Sequence, residues 1–150
     1  MLRILVLSLV FNFPVFCQVD PPKLVVGIVV DQMRFDYINR YWDEFSDGGF
    51  KRLIGEGYQF TNTHYNYIPT YTGPGHASIY TGTTPSSHGV IANSWFDKNS
   101  QSYQYCVGDI SMNTLGAENA SGEMSPSQML NTTFGDELRL FSMNRSKVIG

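Results

Sequence analysis

Residues 23–33 have the sequence KLVVGIVVDQM, in which five β-branched residues surround one glycine. A continuous apolar run of this length is typical of a strand buried on both faces, as in a parallel sheet covered by helices. Asp31 ends the run, and a Pro-Pro pair precedes it. The run therefore predicts an α/β fold whose first strand ends at a carboxylate.

Helical and strand patterns alternate beyond this run. The predicted elements are a helical segment over residues 34–58 broken at Gly48-Gly49, a second strand over 56–66, a helix that begins near Thr72 and ends before Gly82, a hairpin over 94–108, an irregular loop over 109–123, a helix capped by Ser125 that runs to Phe141, and a last β-branched run from Lys147. This alternation predicts the N-terminal part of a longer α/β protein.

The composition excludes several classes of protein. The chain has 150 residues, of which 42% are hydrophobic, so it fits one globular unit at most. Its net charge is −3 at pH 7, its pI is near 5.5, and it contains no run of Lys or Arg. A nucleic-acid partner is therefore disfavoured.

The first 17 residues resemble a secretory signal peptide, with Arg3 before a short apolar run and Cys17 near the expected cleavage site. The run is too short for a membrane span and is interrupted by Asn12 and Pro14, so we expect no stable membrane anchor. Acylation of Cys17 is an alternative. We expect export to the periplasm or the extracellular space, after which Cys106 is either unpaired or bonded outside residues 18–150.

Three polar residues occupy positions where α/β proteins collect functional groups. Asp31 closes the first predicted strand, and Thr72 precedes a predicted helix, whose N-terminus favours an anion. Asn93 offers an amide donor after an apolar segment. Each residue has an ordinary alternative, because Asp31 and Thr72 are also common helix caps and Asn93 is also a common turn residue.

The three histidines, His64, His76 and His88, are spaced twelve residues apart, which matches no short zinc motif. We interpret His76 as a residue of the first helical turn that braces the loop. His88 is interpreted as part of a turn. Metal binding by His76 or His88 is the less favoured alternative.

Two motifs together carry a resemblance to a known family. The first is DQMRFDY, and the second is PTYTGPGHASIYTGTTPSSHGVIAN, residues 69–93. In this combination the chain resembles the alkaline phosphatase superfamily, in the branch of nucleotide pyrophosphatases/phosphodiesterases and zinc-dependent bacterial phosphate monoesterases. The resemblance implies a three-layer α/β/α fold with a mostly parallel sheet, of which residues 18–150 would be the N-terminal portion.

The resemblance also implies roles for the three polar residues. Asp31 would be a ligand of one of two zinc ions, and Thr72 would be the nucleophile and contact the same ion. Asn93 would hydrogen-bond a phosphoryl oxygen. The implied reaction is hydrolysis of small phosphate esters through a phosphothreonine intermediate.

Local differences favour one branch of the superfamily. Sulfatases have Cys or Ser in place of Thr72 and Arg in place of His76, so sulfatase chemistry is disfavoured. Diesterases usually carry larger residues where this chain has Gly73 and Gly75, which favours the monoesterase branch. A phosphodiesterase/nucleotide pyrophosphatase and a non-catalytic surface domain on the same fold are the alternatives.

One carboxylate and one hydroxyl cannot complete a four-coordinate zinc site. We therefore expect the remaining zinc ligands, and the Lys and Arg that would hold a phosphate dianion, to lie beyond residue 150. It follows that residues 1–150 alone should bind zinc poorly and have no appreciable phosphatase activity.

Overall fold

The computed structural model of the chain describes residues 22–150. In chain order its elements are α1 (Tyr37–Arg40), α2 (Phe50–Glu56), α3 (Thr72–Thr81), α4 (Pro85–His88), β1 (Ser94–Asp97), β2 (Ser102–Tyr105) and α5 (Phe134–Phe141), with 3-10 turns at Trp42–Glu44 and Ala120–Gly122. The predicted signal peptide lies outside the described residues. Within residues 22–150, no helix has the length and apolar character needed to cross a membrane.

The two predicted N-terminal strands do not form in the described part of the chain. Residues 24–30 belong to no helix or strand, and the same is true of residues 57–66. The apolar run is largely exposed, with Leu24 at 78% and Ile28 at 77% of their maximal accessible surface. A strand requires hydrogen bonds to a neighbouring strand, and none of residues 22–150 supplies a parallel partner. The two strands predicted over residues 23–31 and 56–66 are therefore not borne out within residues 22–150.

Helix α3 forms where the sequence predicts it. Tyr71 precedes it in an extended conformation, and Pro74 lies in its first turn, where a missing N–H costs little. The helix ends at Thr81, and the next residue, Gly82, has φ 66° and donates its N–H to the Ser78 carbonyl. One side of α3 packs into the small core of Ala77, Val90 and Cys106. This packing fixes the position of the first turn of α3.

The predicted hairpin is confirmed. Strands β1 and β2 pair in antiparallel register, with Trp95 opposite Gln104. Asp97 accepts hydrogen bonds from the backbone N–H groups of Asn99 and Ser100 and from the Ser100 hydroxyl, and these bonds lower the pKa of Asp97. At the other end of the hairpin, the backbone N–H of Cys106 donates to the Asn93 carbonyl at 2.9 Å, which joins the two flanking segments.

The last helix begins later than predicted. Ser125 is not its N-cap; Thr133 caps α5 in a capping box. The reason is a long-range hydrogen bond, because the backbone N–H of Leu130 donates to the His88 carbonyl at 3.0 Å. In a helix that began at Ser125, the Leu130 N–H would donate to a backbone carbonyl of the same helix and could not donate to His88. The predicted break at Gly48-Gly49 is confirmed, since α2 starts at Phe50.

His88 is a buried structural residue that links α4 to α3. It has no exposed surface (0%), and its Nδ1 accepts a hydrogen bond from the backbone N–H of Val90 at 3.2 Å. The ring proton therefore lies on Nε2, which donates to Ser78 Oγ at 3.0 Å. Burial lowers the pKa of His88 below its ordinary value of 6.5. Both ring nitrogens are occupied, so His88 has no nitrogen left for a metal ion.

We expect the neutral state of His88 to make stability depend on pH. The unfolded chain takes up this proton near pH 6.5, whereas the folded chain takes it up only at lower pH. Neutral His88 therefore makes its full contribution to the free energy of unfolding above pH 6.5. This contribution is lost as the pH falls, by at most about 1.4 kcal/mol per pH unit.

Thermal unfolding of the full-length protein between about pH 8 and about pH 5 tests this dependence. His88→Gln should reduce the fall in the unfolding midpoint at low pH. His64→Gln, at an exposed loop histidine, is the matched control and should leave the pH dependence as in the wild type. An unchanged pH dependence in His88→Gln would contradict the assignment.

Candidate active site

A cavity of about 440 Å³ brings the three predicted site residues together. Asp31, Thr72 and Asn93 all contribute to its wall, beside Tyr65 and Ile79. The three residues are far apart in the sequence and come from a turn, a helix start and the segment before β1. The structure therefore assembles them at one surface depression.

Thr72 is the first residue of α3 and is exposed. The cap position belongs to Tyr71, so the alternative that Thr72 is the N-cap is wrong. Among residues 22–150, no group forms a hydrogen bond with the Thr72 hydroxyl. This hydroxyl is therefore available to a ligand in the cavity.

The start of α3 offers fewer backbone donors than a typical helix N-terminus. The N–H of Gly73 donates to Asn93 Oδ1 at 2.7 Å, and Pro74 has no N–H. The N–H of Gly75 donates to the Tyr71 carbonyl at 2.8 Å. The predicted backbone donors for an anion are therefore mostly occupied, and the Asn93 side chain is the donor that faces the site in their place.

Asp31 lies in a turn and is exposed. It is not the cap of the following helix, because α1 begins at Tyr37 after Asp36. Gln32, the next residue, has φ 56°, which is a left-handed conformation that side-chain-bearing residues rarely adopt. The alternative that Asp31 is a helix cap is therefore wrong, and its carboxylate contributes to the cavity wall.

His76 braces the start of α3 itself and not, as predicted, the loop before it. Its Nδ1 donates to the Thr72 carbonyl at 2.9 Å, because a carbonyl can only accept. This bond joins residues on the same face of the helix, four positions apart. It leaves the Thr72 hydroxyl unengaged.

The described residues supply only part of a metal site. Within residues 22–150, no group of three or more His, Cys, Asp or Glu side chains could hold a metal ion. The carboxylate of Asp31 and the hydroxyl of Thr72 are oxygen donors of a kind that zinc accepts. By their donor chemistry they would fill at most two positions of a four-coordinate site, and other residues would have to supply the rest.

A second cavity, of about 680 Å³, lies beside the first and shares Thr72 and Asn93 with it. Its wall includes Gly73 and Cys106, and Cys106 is buried with 8% exposure. The sequence motifs do not place Cys106 near the site. Nothing in its local sequence indicates the site, because the contact depends on how the hairpin packs against α3.

Comparison with known proteins gives consistent results. Residues 25–129 match the model of the family described as type I phosphodiesterase / nucleotide pyrophosphatase. The chain is 52% identical over 128 residues to the alkaline phosphatase PhoV of Synechococcus elongatus, and 43% identical over 151 residues to the alkaline phosphatase PafA of Elizabethkingia meningoseptica. These alignments cover 85% and 100% of this chain but only 23% and 28% of the relatives. The chain thus spans about a quarter of their length.

Two crystal structures of PafA match the fold with a TM-score of 0.85. One is the wild type, at 46% identity, and the other is a variant with four substitutions, at 44% identity. Each match covers 88% of this chain and 26% of PafA. The predicted alkaline phosphatase-like α/β fold class is confirmed by this likeness.

Proposed function

The chain belongs to the type I phosphodiesterase / nucleotide pyrophosphatase family, and from that membership we propose that it carries the nucleophile of a zinc-dependent phosphate monoesterase. The proposed activity is that of the full-length protein. Its substrates would be small phosphate monoesters, and Thr72 would attack the phosphorus atom. Asp31 and Thr72 would contribute ligands to one of two zinc ions.

The proposal rests on the observation that Asp31, Thr72 and Asn93 line the same cavity. A carboxylate, an unengaged hydroxyl and an amide donor are the groups needed to hold a cation, form a phosphoryl bond and bind a phosphoryl oxygen. Two relatives of similar sequence are named alkaline phosphatases, which supports the same chemistry.

The substituted PafA structure adds support for two of these residues. Its substitutions include one threonine and one asparagine that lie 21 positions apart, the separation between Thr72 and Asn93 in this chain. Experimenters chose those side chains in PafA for replacement. We propose that Thr72 and Asn93 correspond to them.

In the proposed mechanism, the Thr72 hydroxyl loses its proton to solvent, and Oγ forms a bond to phosphorus while the bond to the ester oxygen breaks and the leaving alcohol takes up a proton from water. Water then attacks the phosphorus of the phosphothreonine, the Oγ–P bond breaks, and inorganic phosphate leaves as the Thr72 hydroxyl is restored. Zinc, when bound, would lower the pKa of the hydroxyl and stabilise charge on the leaving oxygen. The Asn93 amide would donate to a non-bridging oxygen as negative charge redistributes. The accessible position of Thr72 at the helix start allows the substrate to approach its hydroxyl.

A phosphodiesterase is the second candidate, because the matched family model is described by that activity. The small Gly73 beside Thr72 favours the monoesterase, as does the naming of the more similar relatives. A monoester dianion also offers one more charged oxygen than a diester for charge-assisted hydrogen bonds.

Rates on two matched substrates separate the candidates. We expect the full-length protein to have a kcat/KM for an aryl phosphate monoester about 10- to 100-fold above that for the bis-aryl diester, since one charged hydrogen bond is worth roughly that factor. Both substrates release the same phenol, so one assay measures both. A higher kcat/KM for the diester would favour the second candidate.

A further inference from the structure

We propose that Gly73 and Cys106 are positioning residues that hold the side-chain amide of Asn93 in the orientation required to donate to a phosphoryl oxygen. The inference rests on the proposed function of Asn93. It concerns two residues that the mechanism above does not use. Neither would touch the substrate; both act through Asn93.

The first contact sets the orientation of the Asn93 amide. The backbone N–H of Gly73 can only donate, and it lies 2.7 Å from the Asn93 side chain, so the oxygen atom Oδ1 must face it. The Nδ2 group then does not face the Gly73 N–H, and among residues 22–150 it has no hydrogen-bond partner. The amide thus presents two donor hydrogens to a ligand.

The second contact holds the backbone of the same residue. The N–H of Cys106 donates to the carbonyl oxygen of Asn93 at 2.9 Å. Asn93 is therefore held at both ends, with its side chain fixed by Gly73 and its main chain by Cys106. An amide held in advance loses little entropy when it binds the developing charge.

The third observation is the lack of space for a side chain at position 73. A Cβ atom there would lie 3.0 Å from Cys106 Sγ, 3.1 Å from Asn93 Oδ1 and 3.3 Å from the Ala92 carbonyl oxygen. These distances are shorter than ordinary van der Waals contacts, so at least one neighbour would have to move. Glycine at this position thus permits the short N–H···Oδ1 bond.

Cys106 takes part by packing. Its side chain is buried beside Gly73, and burial raises the pKa of its thiol. It therefore remains a neutral thiol near pH 7 and is a poor nucleophile. Its sulfur fills the volume that a larger residue at position 73 would need.

Gly73→Ala in the full-length protein tests the inference. We expect kcat/KM for an aryl phosphate to fall about tenfold, because a displacement of a few tenths of an ångström weakens a transition-state hydrogen bond. Alanine is a better helix former than glycine, so loss of α3 would not be the cause. Gly55→Ala is the matched control: it adds the same methyl group to a helical glycine, in α2, where no atom lies within 4 Å and which lines neither site cavity. It should change kcat/KM by less than about twofold.

Two double variants separate positioning from a general structural effect. In an Asn93→Ala background, Gly73→Ala should have no further effect beyond about twofold, because its target is already absent. Adding Cys106→Ala to Gly73→Ala removes the nearest contact and should restore about threefold of the lost activity. Undiminished activity of Gly73→Ala, or an equal loss in the Asn93→Ala background, would overturn the inference.

A crystal structure of the Gly73→Ala variant gives a readout that does not depend on activity. We expect the Asn93 amide or Cys106 Sγ to be displaced by a few tenths of an ångström from its wild-type position. If both atoms stay in place, the inference is wrong even though the proposed function can still hold. If the Asn93 amide or Cys106 Sγ is displaced but the wild-type protein hydrolyses no phosphate ester, the proposed function is wrong. The contacts of Gly73 with Asn93 and Cys106 are then correct.

Discussion

Thr72→Ala is expected to lower the kcat/KM of the full-length protein for an aryl phosphate monoester by at least about 1,000-fold, because the variant lacks the proposed nucleophile. The substitution should leave the fold intact. Thr72 is exposed, caps no helix and has no side-chain hydrogen bond among residues 22–150. Alanine also has a higher helix propensity than threonine. The loss should therefore appear in the rate and not in thermal stability.

Two further variants sharpen this experiment. Thr72→Ser keeps a hydroxyl at the same position and should retain much more activity than Thr72→Ala. Thr84→Ala removes a threonine hydroxyl from the residue before α4, where it hydrogen-bonds the Ser86 hydroxyl at 3.0 Å, and should stay within about twofold of the wild type. Acid quenching during turnover should trap a phosphorylated protein in the wild type and none in Thr72→Ala. Unchanged turnover in Thr72→Ala would favour a role in which Thr72 is not catalytic.

The elements predicted correctly from the sequence are those set by local chemistry. Helix α3 is bounded by Pro74 near its start and Gly82 after its end, and both act through their own backbone conformations. The turn of the hairpin is stabilised by Asp97 bonding to residues two and three positions on. Signals of this kind are complete within a few residues, so they can be recognised without knowledge of the fold.

The elements predicted wrongly depend on distant partners. An apolar run such as residues 24–30 becomes a strand only beside another strand, and residues 22–150 contain no such neighbour for it. Ser125 and Pro126 have the local chemistry of a helix start, yet the N–H of Leu130 bonds to His88, far back in the chain. Long-range hydrogen bonds override local preference at both places.

The candidate site also combines features that the local sequence predicts with features that depend on distant contacts. The family resemblance predicts that Asp31, Thr72 and Asn93 share one site, because its two motifs occur together in one known fold. The contacts of Gly73 with Asn93 and Cys106 could not be foreseen, because they arise where the segments that flank the hairpin meet the start of α3. The sequence indicated which side chains have the right chemistry, and packing determines how each is held.

Asp31→Asn is expected to remove about one of the two proposed zinc ions from the full-length protein and to lower kcat/KM at least about 100-fold. The amide has the shape of the carboxylate but carries no charge, so it is a much weaker zinc ligand. Asp31 is exposed at the cavity wall, and the substitution removes no buried contact. Zinc content measured by atomic absorption, together with the rate, checks both parts of the expectation.

Asp36→Asn is the matched control for this experiment. Asp36 is a nearby carboxylate, but its oxygens pair with Arg34 at 3.0 Å and Arg40 at 2.8 Å, and these partly exposed ion pairs contribute at most about 1 kcal/mol to stability. The variant should therefore keep both zinc ions and most of its activity. If Asp31→Asn loses activity while its zinc content is unchanged, Asp31 acts on the substrate or on Thr72 and is not a metal ligand. If zinc content and activity both persist, Asp31 is not a ligand of the metal site. Its position beside Thr72 in the cavity then does not reflect metal binding.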